Sequence, residues 1–258
     1  METPEERQVL DEAGQIREKH TLLNGRLHGD STAYDAEGRV ARTARFQEGL
    51  LDGEVVTYDD AGRVRERCQF LNGVPHGELT LHDERGWLVQ RMSYLAGKPE
   101  GECVIFADGR PAAFLHYRQG VPEGELRVLH PSGPDSVRSL YRDGQLEGES
   151  RFFDSEGNVV RRAQYRAGKL HGETLEYYPN GQLREKAPYD QDRLHGTVQR
   201  FHLDGRLKEK QTYREGKPLG PPVEYDAKGR PKAAKPAGAE KKPGWRKKLG
   251  LGGGDGGP

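Results

Sequence analysis

A five-residue pattern with glycine at both ends, Gly-x-x-x-Gly, recurs along most of the chain and limits the folds open to it. Successive copies begin 24 residues apart, except for one step of 23 residues, and Asp192 replaces the first glycine once. A fixed period of this length predicts a repeat architecture in which each unit packs on its neighbours. The glycines of the pattern are Gly25, Gly29, Gly49, Gly53, Gly73, Gly77, Gly97, Gly101, Gly120, Gly124, Gly144, Gly148, Gly168, Gly172, Gly196, Gly216 and Gly220.

The segments between these glycines have the alternation of β-strands. Apolar Val64, Cys68 and Phe70 alternate with basic Arg65 and Arg67, and a period of two indicates a strand with two different faces. Glycine supplies the positive φ that tight hairpin turns require. We therefore predict an all-β fold, an elongated single-layer antiparallel meander of about nine 24-residue β-hairpin repeats.

Composition sets the expected domain limits. Only 33% of residues are hydrophobic, which suits a thin core better than a compact globule. We expect a helical N-terminal cap over residues 1–13, since Thr3-Pro4 resembles a helix start. The repeat array should cover 14–229, and the Pro/Gly/Lys-rich tail, 230–258, should be disordered. Residues 226–258 hold nine Lys or Arg and three Asp or Glu, so this end is basic and the remainder acidic.

The sequence shows no secretory signal and no membrane span, so we expect a cytoplasmic protein. Cys68 and Cys103 should lie about three strands apart, too far for a disulfide. Histidines recur in one repeat slot, for example at His28 and His76. Slots of adjacent repeats are about 10 Å apart, whereas zinc ligands lie about 2 Å from the ion. Carboxylates also recur rather than converge. We expect no metal, no cofactor, no catalytic residue and no nucleic acid partner.

Two stretches resemble a known repeat. YYPNGQLREKAPYDQDRLHG (177–196) and YDDAGRVRERCQFLNGVPHG (58–77) are similar to the MORN repeat in its bacterial variant form. Many bacterial members are classed as YwqK-like antitoxins or as immunity proteins, and eukaryotic relatives are scaffolds at membranes. The resemblance implies an antitoxin or immunity protein that forms a 1:1 complex with a cognate toxin. The toxin would be, for example, a nuclease or a lipase. The alternative is a structural scaffold or a membrane-associated adaptor. Its basic tail would recruit it by associating weakly with a membrane.

We predict that the middle repeats contact the partner. Tyrosine is enriched in protein interfaces, and acidic side chains suit a basic partner. The predicted protein-binding residues are Glu78, Tyr94, Glu102, Tyr117, Glu125 and Tyr141.

Overall fold

A computed structural model describes residues 3–232, which form one open antiparallel sheet of 24 strands with no helix in that range. The first twelve strands are β1 (Glu5–Leu10), β2 (Ile16–Leu23), β3 (Arg26–Tyr34), β4 (Val40–Gln47), β5 (Leu50–Leu51), β6 (Gly53–Tyr58), β7 (Val64–Leu71), β8 (Val74–His82), β9 (Leu88–Leu95), β10 (Lys98–Ala107), β11 (Arg110–Arg118) and β12 (Val121–Pro122). The remaining twelve are β13 (Gly124–Leu129), β14 (Asp135–Arg142), β15 (Gln145–Leu146), β16 (Gly148–Phe153), β17 (Val159–Arg166), β18 (Lys169–Tyr177), β19 (Leu183–Asp190), β20 (Arg193–Leu194), β21 (Gly196–Phe201), β22 (Leu207–Arg214), β23 (Lys217–Pro218) and β24 (Val223–Glu224).

The strands pair in chain order, so the predicted antiparallel meander is confirmed. A two-residue turn closes one end of each hairpin, as at Asn72-Gly73, where φ is 49° and 84°. Positive φ at both central residues defines the type I′ turn, whose twist matches that of the strands. The first glycine of the repeat therefore belongs to this turn. Asp192, which replaces it once, adopts the same left-handed conformation with φ of 65°.

The second glycine of the repeat lies inside a strand. Gly77, with φ of 95°, pairs across the sheet with Tyr94, and Gly101, with φ of 85°, pairs with Tyr117. In β10 the register shifts across this position, between Pro99 and Cys103, which marks a bulge. Gly220, in the last copy, differs from the others because its φ is not positive.

A five-residue loop closes the opposite end of most hairpins. Asp59 begins one such loop, and its Oδ1 accepts hydrogen bonds from the N–H groups of Ala61 and Arg63, both at 2.9 Å. The Arg63 Nε donates to the other carboxylate oxygen at 2.8 Å. These bonds lower the pKa of Asp59, and the bond from the backbone N–H of Arg63 has the largest effect. The single 23-residue step in the period arises where a two-residue turn, Asp108-Gly109, replaces this loop.

The two faces of the sheet differ. Residues 77, 79, 92 and 94 share one face by register and alternation, and we call this side, which carries Tyr94, Tyr117 and Tyr141, the tyrosine face. A column of small buried side chains runs beside the aromatic residues and forms the thin core. It contains Ser31, Ala44, Val55, Cys68, Met92, Cys103, Ser139, Ser150, Ala163, Thr174, Ala187 and Val198.

The predicted N-terminal helix is wrong. Residues Glu5–Leu10 form β1, which pairs with β2 from Glu5↔Leu22 to Leu10↔Ile16. Asp11 opens the same loop as Asp59, and its Oδ1 accepts from the N–H of Gln15 at 2.8 Å. The cross-strand hydrogen bonds offered by β2 outweigh the local helix signal, so the sheet begins before residue 14. Nearly all of the predicted disordered tail, from residue 233 onward, lies outside the described residues.

Candidate protein-binding surface

The structure separates the six predicted binding residues into two groups of three. Gly77 pairs with Tyr94, whereas the next residue, Glu78, pairs with Ser93. Side chains of neighbouring residues in a strand point to opposite faces. Glu78, Glu102 and Glu125 therefore lie on the side opposite to the tyrosine face, which we call the glutamate face. A partner that covers one face cannot contact both groups.

The three tyrosines contribute to the core. Each is half-buried and lies opposite a glycine of the adjacent strand. Because glycine has no side chain to shield its backbone, the tyrosine ring covers it instead. Burial raises the pKa of Tyr94 and of Tyr117. The burial and repetition of these positions indicate a structural contribution for the aromatic column.

The three glutamates form a row of exposed carboxylates, the glutamate row, defined as Glu78, Glu102 and Glu125. Consecutive members are two strands apart, or about 10 Å. None of the three side chains makes an ion pair or a hydrogen bond within the described residues 3–232. Equivalent glutamates elsewhere in the array do form ion pairs: Glu54 with Arg67 at 2.7 Å, Glu149 with Arg151 at 2.5 Å and Glu173 with Lys186 at 2.5 Å.

Substitutions on the neighbouring strand explain why Glu102 has no cation. Arg67 and Lys186 each lie two residues before the residue that pairs with their glutamate. The equivalent residue beside Glu102 is Phe114, which carries no charge. Arg91 occupies this position beside Glu78 and forms no ion pair with it.

Glu125 lacks a partner for another reason. The equivalent cation, Arg138, bonds to Asp135 instead, through its Nε at 2.5 Å. Arg127 bonds to the other oxygen of Asp135, with its Nη2 at 3.0 Å. Asp135 thus engages the guanidinium groups of both Arg127 and Arg138, and Glu125 is left without an ion pair.

Exposed aliphatic side chains run beside the glutamate row. By alternation they belong to the glutamate face, and they flank the two-residue turns. A Cβ built on Gly73 would lie 3.5 Å from Leu50 Cδ2, and one on Gly97 would lie 3.5 Å from Val74 Cβ, so successive turns stack closely. We call this set the aliphatic edge, although it is interrupted by two cations, Lys98, which pairs with Leu95, and Arg118, which pairs with Val121. Its members and exposed fractions are Leu50 (51%), Leu71 (44%), Val74 (42%), Leu95 (53%) and Val121 (42%).

A shallow depression of about 500 Å³ lies between two members of the glutamate row. Glu102 and Glu125 line its sides, and His116 lies between them. Glu123, also in its lining, accepts a hydrogen bond from the N–H of Asp143 at 2.9 Å. Arg118 and Arg127 also line this depression, so it carries both signs of charge, and a Lys or Arg side chain from a partner would pair with the carboxylates of Glu102 and Glu125.

The aliphatic edge was missed by sequence reasoning. Its residues occupy turn-flanking positions, and Leu50, Val74 and Val121 each follow a turn glycine directly. The 24-residue period contains the signal, because the equivalent residues in other copies are the polar or charged Lys98, Gln145 and Lys169. Recognising it requires the cross-strand register, which places these residues on the same face as the glutamate row.

Other side-chain chemistry is sparse in the described part of the chain. Across residues 3–232, no three His, Cys, Asp or Glu side chains are placed to hold one metal ion. Cys68 and Cys103 are free and buried, and burial raises the pKa of both thiols. No helix long and apolar enough to cross a membrane occurs between residues 3 and 232.

Comparison with solved structures gives remote similarities. The Photorhabdus luminescens Tc holotoxin pore carrying the TccC3-D651A mutation is 13% identical over 91% of this chain and 15% of that one, with a TM-score of 0.22. A TcdB2–TccC3 structure is 12% identical over 84% and 16%, with a TM-score of 0.16. A porin-like protein from Bacteroides uniformis is 12% identical over 80% and 92%, with a TM-score of 0.20. This chain thus spans about 15% of the length of the first structure. TM-scores this low support no conclusion about function.

Comparison by sequence is more specific. No curated protein matches the chain significantly. Three consecutive segments, residues 146–167, 170–191 and 194–215, match the MORN repeat variant. All three lie after the glutamate row and contain β17, β19 and β22 together with the five-residue loops that precede these strands. The chain therefore contains three consecutive repeats of the MORN variant type.

Proposed function

We propose that this chain is a non-catalytic protein-binding repeat protein, an antitoxin or immunity protein that neutralises a cognate toxin by 1:1 binding. One observation carries the proposal: a row of carboxylates that form no ion pairs lies beside an aliphatic edge on one face of a repeat sheet. MORN-type repeats support a binding function in general. The antitoxin assignment also draws on the bacterial proteins that the sequence resembles.

The surface favours a basic partner. The glutamate row extends over about 20 Å, since its ends are four strand positions apart. Interfaces commonly combine a desolvated apolar centre with charged groups that orient the partner. Lys or Arg side chains of the toxin would pair with the glutamate row, while apolar side chains would cover Leu95 and Val121. A nuclease fits this chemistry, because enzymes that act on nucleic acid present basic surfaces.

The proposal is tested by capturing the partner from native cells with the tagged full-length chain. We expect one protein retained at 1:1 stoichiometry, and we expect co-expression of the chain to relieve the toxicity of that protein. Retention of no stoichiometric protein, or of one whose toxicity is unaffected, would contradict the antitoxin assignment.

Two triple variants show whether the glutamate row makes the contact. Glu78→Gln/Glu102→Gln/Glu125→Gln neutralises the row and should release the captured protein. Glu54→Gln/Glu149→Gln/Glu173→Gln changes the same repeat position where the glutamates already have cations, and it should retain the protein.

The alternative function, a membrane-associated scaffold, is favoured by the excess of nine basic over three acidic residues in 226–258. It requires binding to vesicles of anionic phospholipid that is lost when Lys241, Lys242 and 246–248 are replaced by glutamine. A wild-type chain that remains free of such vesicles would exclude this version. The two functions are thereby separated, since the antitoxin needs no membrane.

A further inference from the structure

We propose that the hairpin of β21 and β22 carries a binding site for a small organic carboxylate, formed by Lys210, Thr197 and Thr212 beside an apolar wall. The site lies on the glutamate face, apart from the glutamate row. It goes beyond the proposed function and does not depend on it. One observation carries the inference: Lys210 keeps the cation of the repeat, whereas the carboxylate that would pair with it is missing.

The missing carboxylate is defined by the equivalent hairpins. The residue directly after the second glycine is acidic in all seven preceding copies, at Asp30, Glu54, Glu78, Glu102, Glu125, Glu149 and Glu173. Thr197 is the first residue at this position that is not acidic, and Pro221 follows in the next copy. In the hairpin before, Lys186 Nζ lies 2.5 Å from Glu173 Oε1. Lys210 occupies the position of Lys186, two residues before the residue that pairs across the hairpin with Thr197.

Lys210 has a cation without an anion beside it. Across residues 3–232 its ammonium group forms no ion pair and no hydrogen bond, and it lies over the ring of Tyr225, with Nζ 5.9 Å from the centroid. The side chain is half-buried, so water solvates its charge only in part. A ligand carboxylate would take the place beside Lys210 that the Glu173 carboxylate takes beside Lys186, and would form a charge-assisted hydrogen bond there.

Two threonine hydroxyls complete the polar side of the site. Thr197 Oγ1 and Thr212 Oγ1 lie 3.0 Å apart, within hydrogen-bond distance. In such a pair one hydroxyl donates to the other, and the second keeps its proton for a further acceptor. Lys210 and one threonine thus present donors to a carboxylate, whose two oxygens accept from both. The amide of Gln199, which also lines the site, adds a further polar group.

The depression around these groups has a volume of about 490 Å³. Its apolar lining residues are Leu219, Pro221, Val223 and Tyr225. The N–H of Leu219 donates to the Thr212 carbonyl at 2.9 Å, which holds this wall against β22. Among the described residues that line the depression, Lys210 is the only charged one, so no carboxylate competes with a ligand for it. One cation beside an apolar wall suits a monovalent carboxylate that bears an apolar group.

The test is a titration of the full-length chain with benzoate, which joins a carboxylate to an apolar ring. The amide resonances of Thr197, Thr212 and Val223 in proton–nitrogen correlation spectra report binding at the site. Benzyl alcohol supplies the ring without the charge, and inorganic phosphate supplies charge without the ring. We expect saturable shifts with benzoate, and dissociation constants about tenfold or more higher for benzyl alcohol and for phosphate.

Three variants locate the binding. Lys210→Met removes the cation and should raise the benzoate dissociation constant about tenfold or more. Thr197→Glu restores the carboxylate of the other repeats, which should pair with Lys210 and exclude benzoate. Lys186→Met is the matched control, because it removes the cation of the same repeat position where Glu173 already pairs with it, and its benzoate affinity should stay within about twofold of wild type.

A wild-type chain without saturable shifts at this hairpin overturns the proposal. Equal losses in Lys210→Met and Lys186→Met, or undiminished benzoate binding in Thr197→Glu, also overturn it. Phosphate binding as tight as that of benzoate would assign the site to inorganic anions and overturn the carboxylate class. The same spectra show whether a variant is folded, since resonances of the other repeats should not move, and Thr197→Glu decides the question if Lys210→Met does not fold.

Discussion

The middle repeats, residues 49–142, and the later repeats, residues 144–215, share one backbone and differ in the side chains of the glutamate face. The later repeats contain all three matches to the MORN repeat variant. There, Glu173 has a cation and the edge carries Arg166 and Lys169. In the middle repeats Glu102 has no ion pair, and the edge carries the apolar Leu95 and Val121 beside the cations Lys98 and Arg118.

This difference teaches where specificity arises in such an array. The repeated glycines fix the turns and bulges, and these in turn fix the register, so every repeat presents equivalent positions in rows. A few substitutions at those positions then change a self-neutralised face into one with free carboxylates and apolar groups. Phe114 and Asp135 are the two residues that bring about the change beside Glu102 and Glu125.

The largest expected effect comes from giving the middle repeats the edge of the later ones. Leu71→Lys/Leu95→Lys/Val121→Lys should weaken binding of the captured partner by about 100-fold or more, because it removes the apolar centre of the interface and repels a basic partner. Thermal unfolding should change little, since these side chains are already exposed. Leu203→Lys, at a residue 57% exposed in a distant loop, is the control and should bind normally. Equal losses in both would show that the aliphatic edge is not the contact.

Stacking of the turns should appear in the stability of glycine variants. Gly144 has φ of 76°, and a Cβ there would lie 2.8 Å from Val121 Cγ1, whereas Gly157, with φ of 86°, has open space around it. Gly157→Ala should cost about 1–2 kcal/mol of unfolding free energy for the left-handed backbone, and Gly144→Ala about 1 kcal/mol more. Urea denaturation measures both. Adding Val121→Ala should remove the extra cost, and an unchanged difference would contradict the stacking.

Restoring the missing cation should sharpen the comparison further. Phe114→Arg places a guanidinium where Arg67 pairs with Glu54, so it should neutralise Glu102 and weaken partner binding several-fold, as expected for one exposed ion pair. Phe114→Leu removes the ring without adding charge, and its affinity should stay within about twofold of wild type. Titration calorimetry with the captured partner measures both. If the two variants lose the same affinity, the ring and not the missing charge matters.

The smallest effect concerns acid stability of the five-residue loops, which both regions share. Backbone N–H bonds lower the pKa of Asp59 and of Asp154, and Arg206 holds the pKa of Asp204 at about 2. A pKa below that of the unfolded chain means that the stabilisation is complete above about pH 4 and is lost as pH falls toward about 2. Hydrogen exchange at Arg63, whose N–H bonds to Asp59, should accelerate as the pH falls below about 4.

Two comparisons check the acid effect. Asp59→Asn keeps an oxygen acceptor and removes the charge. After correction for the intrinsic exchange rate, exchange at Arg63 should therefore no longer depend on pH between about 4 and 2. The loop that begins at His130 has no carboxylate at that position and should behave in the same way. Acceleration at all loops alike would assign the effect to global unfolding.

The repeat and its strands could be predicted because their signals are local. Positive φ requires glycine or a tolerant residue at each turn, and alternation marks a strand without knowledge of its partner. β1 was missed because Thr3-Pro4 is a helix signal in isolation. The correcting signal was the period, since Asp11 lies 24 residues before Asp35 and Leu10 lies 24 before Tyr34.

The candidate surface was only partly predictable, because a face is a property of register. The middle glutamates were identified from their recurrence after the second glycine, but their separation from Tyr94 and Tyr117 depends on the cross-strand pairs. Likewise, the loss of a cation at Glu125 depends on Arg138 turning to Asp135, a contact between side chains that no spacing rule contains.

The central claim is that the free carboxylates of the middle repeats, and not this repeat position in general, bind the partner. It is tested most directly by measuring the partner's dissociation constant for the two triple variants side by side. We predict a rise of about tenfold or more for Glu78→Gln/Glu102→Gln/Glu125→Gln and a change within about twofold for Glu54→Gln/Glu149→Gln/Glu173→Gln. Equal affinities for the two variants, or a larger loss in the second, would contradict the account.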